Sequence, residues 1–241
     1  MKFFDYDSPL MSALTKVANL MILNLLTILC CIPIITIGPA LTAMHYMCLK
    51  MVRNEESYIV KGYFKAFKES FKQAVCVWLV LLVIILVFVG DYLIVYHSGI
   101  QFPYWFQVAL AAVAIVGLFE FMMVFPVMGK FENTTLRTMK NALIISVVKF
   151  PITLLMIVMN AIPIFITFYF FEIFPFVLMF GMSVPAYFSA KLLNKYFKTL
   201  EEHILAVQAE NNPDASSEEE DDGVEKIFND QLDESLVGKR D

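Results

Sequence analysis

Glu120 and Lys149 each lie about eight residues inside a long apolar run, which is where chemistry is expected in such a chain. A charge buried in a bilayer costs several kcal/mol unless it is paired, so an ionisable residue there needs a reason. If the two runs are antiparallel neighbours, both side chains reach a similar depth, about 12 Å from one surface at about 1.5 Å per residue. A Glu120–Lys149 ion pair is then expected. The alternative is a snorkelling Lys149 and a Glu120 that faces a polar cavity or carries a proton. Asp91 and Glu172 fall near the far ends of their runs, as an anionic vestibule or as ordinary interfacial groups. Asn19, Asn24 and Asn160 suit hydrogen bonding between helices, and Asn24 is kept as a ligand candidate too.

No catalytic residue emerges beside them. His45, His97 and His203 are scattered, and no H-E-x-x-H, G-x-S-x-G or P-loop pattern occurs. Nine glycines provide no phosphate-cradling loop. Cys30, Cys31, Cys48 and Cys76 sit in or beside apolar segments without metal or redox spacing, so they read as apolar fillers. No metal, no cofactor and no enzyme activity is expected.

The elements that must position these residues are built for lipid. Of 241 residues, 59% are hydrophobic and 17% charged, well below the charged share of a water-soluble domain. The net charge of −5 conceals a split. Residues 201–241 hold 14 of 23 acids and 3 of 18 Lys+Arg, leaving a body near +6 and a tail near −11. The basic excess belongs beside anionic headgroups rather than nucleic acid, and the tail belongs in water. The first apolar run starts too late and is too long for a cleavable signal peptide.

The predicted organisation is a transmembrane domain over 1–200 and an acidic tail over 201–241. The first run, 17–37, is interrupted by Pro33 and ends in a break marked by Pro33, Gly38 and Pro39, with a helical piece at 39–53 beyond. Across 57–73, Lys61, Lys65, Lys68 and Lys72 make one stripe, and Val60, Phe64, Phe67 and Phe71 make another beside it. That pattern predicts a basic interfacial helix at the membrane surface, with phenylalanines toward the acyl boundary and lysines toward headgroups. Further runs follow at 74–97, 104–128, 142–171 and 173–190. The 142–171 run is longer than the roughly 20 residues a span needs, so part of it should be kinked or interfacial. Gly181, Pro185 and Ser189 form a small-residue stripe for close helix packing.

Lysine placement orients the spans. Segment 50–73 has six basic residues, 129–141 has three and 191–198 has three, whereas 98–103 has none. Positive-inside logic puts the basic segments and the C-terminus in the cytoplasm. Five spans with an outer N-terminus satisfy this if 17–53 is one broken crossing. A hairpin at the Pro33–Pro39 break would instead give six elements and an inner N-terminus. The acidic stretch 210–223 is disorder-prone, and 224–237 regains a helical pattern through Val224, Ile227, Phe228, Leu232 and Leu236.

Asn24, the string Pro33-Ile-Ile-Thr-Ile-Gly-Pro-Ala-Leu-Thr-Ala43, Lys50, Arg53 and Tyr63-Phe64-Lys65-Ala66-Phe67-Lys68 together resemble the YesL-type family of bacterial multi-pass membrane proteins. The likeness covers residues 1–200 and not the tail. It implies no catalytic residues, because the family's biochemical function is unknown. Its members are often encoded beside sugar importers of the ABC type, which implies an accessory role in carbohydrate uptake with importer subunits as partners. The coupling-loop motif of sugar permeases (Glu-Ala-Ala then glycine) is absent, so a complete permease subunit is disfavoured. The expected protein is an all-α, polytopic transmembrane helix bundle of about five spans in the cell membrane. A small-solute transporter is the rival, and a membrane enzyme is less favoured.

Overall fold

The computed structural model describes residues 9–55, 58–98, 103–132, 134–211 and 227–228. Eight α-helices carry almost all of these: α1 Pro9–Cys31, α2 Ile37–Arg53, α3 Ile59–Ser98, α4 Tyr104–Lys130, α5 Thr135–Val148, α6 Phe150–Tyr169, α7 Phe174–Phe180 and α8 Ser183–Asn211. Helices α1, α3, α4 and α6 are long and apolar enough to cross a membrane, and the bent pair α7–α8 makes a fifth candidate. The chain therefore forms the expected all-α bundle, with four or five helices that could span a membrane.

The first two helices are a hairpin. Lys16 Nζ donates to Asn54 Oδ1 at 2.6 Å, so the start of α1 lies against the end of α2. This corrects the favoured reading of 17–53 as one broken crossing with its N-terminus opposite the lysines. The chain turns back because its break is longer than a kink. Pro33 is extended, a 3-10 turn covers Ile34–Thr36, and α2 starts afresh at Ile37. Thr36 Oγ1 donates to Cys30 O at 2.6 Å and Pro33 O at 2.8 Å, and Trp78 Nε1 donates to Ile34 O at 2.7 Å. Backbone carbonyls freed by the break are thus supplied with donors, as a low-dielectric setting requires.

Helix α2 is the packing centre. Its residues Ala40, Ala43, Met44, Met47, Cys48 and Met51 are all buried. It touches α1, α3, α4 and α8. Close approach is bought with small residues. A Cβ on Gly38 would stand 2.4 Å from Ala74 O of α3, and one on Gly129 of α4 would stand 3.2 Å from Tyr46 N of α2. Asn54 ends α2 in the left-handed region at φ 56°, a conformation asparagine tolerates better than most residues.

The basic segment is helical as expected, but it is fused to the following span. Helix α3 runs 40 residues without interruption, about 60 Å at 1.5 Å per residue. The reason is a single buried stripe, Ile59, Tyr63, Ala66, Ser70, Ala74, Val77 and Leu81, which runs through both halves at helical spacing. Lys61, Lys65, Lys68 and Lys72 point away from the bundle.

The 142–171 run breaks at Lys149, where α5 ends and α6 begins with Pro151 in its first turn. Thr153 Oγ1 donates across that joint to Ser146 O at 3.0 Å. The 173–190 run breaks between α7 and α8, which are bent by 50°. Helix α8 then continues past residue 200 to Asn211, with Leu193, Phe197, Leu200 and Ile204 in the core. The expected boundary between body and tail therefore falls inside this helix. Ile227–Phe228, expected in a helix, are extended and pair in parallel with Phe131–Glu132. The rest of the expected tail helix and the 212–223 stretch lie outside the described residues.

Two outcomes follow. Gly38→Ala forces a Cβ against backbone and should cost about 1–3 kcal/mol or more in detergent unfolding, whereas Gly90→Ala, with nothing within 4 Å, should be neutral or stabilising. Cysteines placed at Lys16 and Lys65 should react with an impermeant maleimide from the same side of the membrane. Reaction from opposite sides would overturn the hairpin.

Candidate functional site

The ends of α2 and α4 meet the body of α8 in one charge cluster at the lysine-rich end of the bundle. Arg53, from the last turn of α2, donates from Nη2 to Glu201 Oε2 at 2.7 Å and from Nη1 to Glu201 Oε1 at 3.3 Å. Its Nε donates to Asn194 Oδ1 at 2.9 Å. Lys130, from the end of α4, forms an ion pair with Glu201 Oε1. The side chains of Arg53 and Lys130 are 6% and 1% exposed, and Glu201 is the carboxylate ion-paired with both. A single carboxylate with its oxygens divided in this way fixes the relative positions of α2, α4 and α8.

At mid-bundle, Asn24 of α1 is fully buried and clamps the α7–α8 break. Its Nδ2 donates to Leu178 O at 2.8 Å, and its Oδ1 accepts from Met182 N at 2.9 Å and Ser183 N at 2.8 Å. One side chain therefore satisfies three backbone groups that the bend takes out of the helical ladder.

Between α1, α2, α4, α6 and α7–α8 lies a cavity of about 790 Å³. Its floor is buried (Met44, Phe125 and Met156), and its mouth is walled by exposed Ile164, Phe168 and Phe171. Three polar side chains interrupt this lining: His45, Asn160 and Thr167. Two of them are turned inward on their own helix, Asn160 Nδ2 to Met156 O at 2.8 Å and Thr167 Oγ1 to Pro163 O at 2.8 Å. His45 is different. Its Nδ1 is covered and has no hydrogen-bond partner.

The residues singled out by sequence fare unequally. Asn24 takes a structural role at the bend, and Pro33, Gly38 and Pro39 form the hairpin turn and the start of α2. The Glu120–Lys149 pair does not form: the Lys149 ammonium sits 4.6 Å from the centre of the Tyr196 ring, and Glu120 Oε1 is covered without a hydrogen-bond partner. An aromatic face attracts a cation at this range, and Tyr196 lies within reach of the α5–α6 joint. Asp91 is half-buried in a cleft of about 270 Å³ between α3 and α4, beside Phe106 and Leu110. Glu172 is exposed on the turn before α7. Sequence reasoning missed Glu201 and His45. Among the described residues no group of three or more His, Cys, Asp or Glu is placed to hold a metal ion.

Glu201→Gln should leave Arg53 and Lys130 covered without a counter-charge and cost about 3–5 kcal/mol. The double variant Lys130→Met/Glu201→Gln should lose less than the sum of the two single changes, because the pair is coupled. Additive losses in detergent melting would show that the cluster does not act as a unit.

Residues 20–92, from α1 through most of α3, match the profile of a family described as protein of unknown function, DUF624. No curated protein and no solved structure matches the chain.

Proposed function

We propose that this chain is a multi-pass cell-membrane component that serves as an accessory or regulatory partner of a carbohydrate importer of the ABC type. In this reading it is not an enzyme, and its lysine-rich end and C-terminus face the cytoplasm. The observation that carries the reading is the outward face of the basic half of α3. There Lys61, Lys65, Lys68 and Lys72 share an outward surface with exposed Val60, Phe64 and Phe71. Aromatic and aliphatic anchors ringed by like charges suit anionic headgroups together with an acidic partner face. The sidedness is supported by the positive-inside rule. The importer association is supported by the resemblance of the hairpin and α3 to the YesL-type family, the region that also matches the family of unknown function.

A second reading has its own support. Helices broken at mid-bundle beside a cavity are how many secondary transporters build substrate sites. The α7–α8 bend, clamped by Asn24, borders such a cavity here. The lining argues against sugar as the cargo of this chain alone. Each sugar hydroxyl left unpaired in that apolar wall would cost about 1–3 kcal/mol.

Tagged protein solubilised from native membranes should recover sugar-importer subunits. Replacing the four α3 lysines by glutamine should reduce that recovery by about tenfold or more, the size expected for lost charge complementarity. Recovery of no importer subunit, together with solute flux in proteoliposomes of the purified chain, would favour the transporter.

A further inference from the structure

We propose that the cavity facing His45 binds a single-chain long-chain carboxylic acid, its carboxyl at the imidazole and its chain running toward the mouth at Phe168 and Phe171. The proposal is independent of any docking role for α3.

Four observations carry it. The cavity is large, about 790 Å³, within the range that encloses a small organic ligand. Its mouth is apolar and exposed, with Phe168 at 86%, Phe171 at 76% and Ile164 at 71%. These residues lie at the end of α6 and the turn after it, on helices long and apolar enough to be in lipid, so a ligand dissolved in the membrane meets the opening directly. The floor of Met44, Phe125 and Met156 is apolar, which suits a hydrocarbon chain and offers a sugar or nucleotide almost nothing.

The fourth observation is the imidazole itself. Among the described residues His45 makes no hydrogen bond, whereas the other polar lining groups, Asn160 and Thr167, have theirs. His45 is part-buried and is the lining polar side chain left without a hydrogen bond on its own helix. With Nδ1 covered, Nε2 is the ring nitrogen a ligand can reach. An imidazole and a carboxyl make a hydrogen bond whichever of the two holds the proton, either imidazolium N–H to carboxylate, which is charge-assisted, or carboxylic O–H to the neutral ring nitrogen. A plain hydrocarbon would leave the imidazole as it is.

The test uses the full chain in phosphatidylcholine vesicles with palmitic acid bearing a mid-chain diazirine. Illumination should label peptides that contain Phe125 and Met156. Labelling should saturate, and unlabelled palmitic acid should compete it. His45→Phe should weaken it by about tenfold or more, as loss of a charge-assisted hydrogen bond does. The methyl ester of the probe, which cannot form that bond, should label wild type and His45→Phe alike. Thr167→Trp, which narrows the mouth, should abolish labelling at Met156 even if His45→Phe fails to fold. Unsaturable labelling confined to lipid-facing residues such as Val83 and Ile115 would overturn the proposal. So would undiminished labelling in His45→Phe or Thr167→Trp, or competition by a disaccharide.

Discussion

A single carboxamide holds the α7–α8 joint of this bundle together. Where α7 ends and α8 begins, backbone donors and acceptors leave the helical ladder beside α1. Asn24 takes up three of them from the neighbouring helix. Without it the bend would expose groups that cost about 1–3 kcal/mol each. The bend in turn lets α7 lean away from α8 and wall the cavity, so that space depends on a residue outside its lining.

The same rule explains the hairpin turn, where Thr36 and Trp78 take up freed carbonyls. What holds α2 between its neighbours is different in kind. Glycines at positions 38 and 129 let backbones meet at distances no larger side chain permits, so dispersion accumulates along the whole contact. At the end of α2 the attraction becomes ionic. Glu201 is shared by Arg53 and Lys130, and the covered charges make α2, α4 and α8 interdependent there. Packing sets how near the helices lie, and the charge cluster sets their register.

Much of this was legible along the chain. The long apolar runs, the break at Pro33–Pro39 and the excess length of 142–171 each depend on local composition, and each reappears as a helix, a turn or a joint. The hairpin was not decidable, because the charges near the N-terminus are balanced and the Lys16–Asn54 contact joins residues far apart in sequence. The Glu120–Lys149 pair failed for a related reason. Equal depth makes two groups eligible to meet, but the face each presents is set by a joint at Lys149 that brings Tyr196 within its reach. Glu201 was read as the first residue of an acidic tail, since nothing local distinguishes it from Glu202. His45 looked like an isolated histidine because five separate elements build the space in front of it.

Helix α3 has one more implication. Its 40 residues contain no proline and no joint, so the lysine-bearing end and the end near Asp91 form a single stiff rod. Whatever grips the lysines therefore holds a lever. A tilt imposed at one tip must reappear at the other, reversed in direction, and the α3–α4 cleft would open or shut with it.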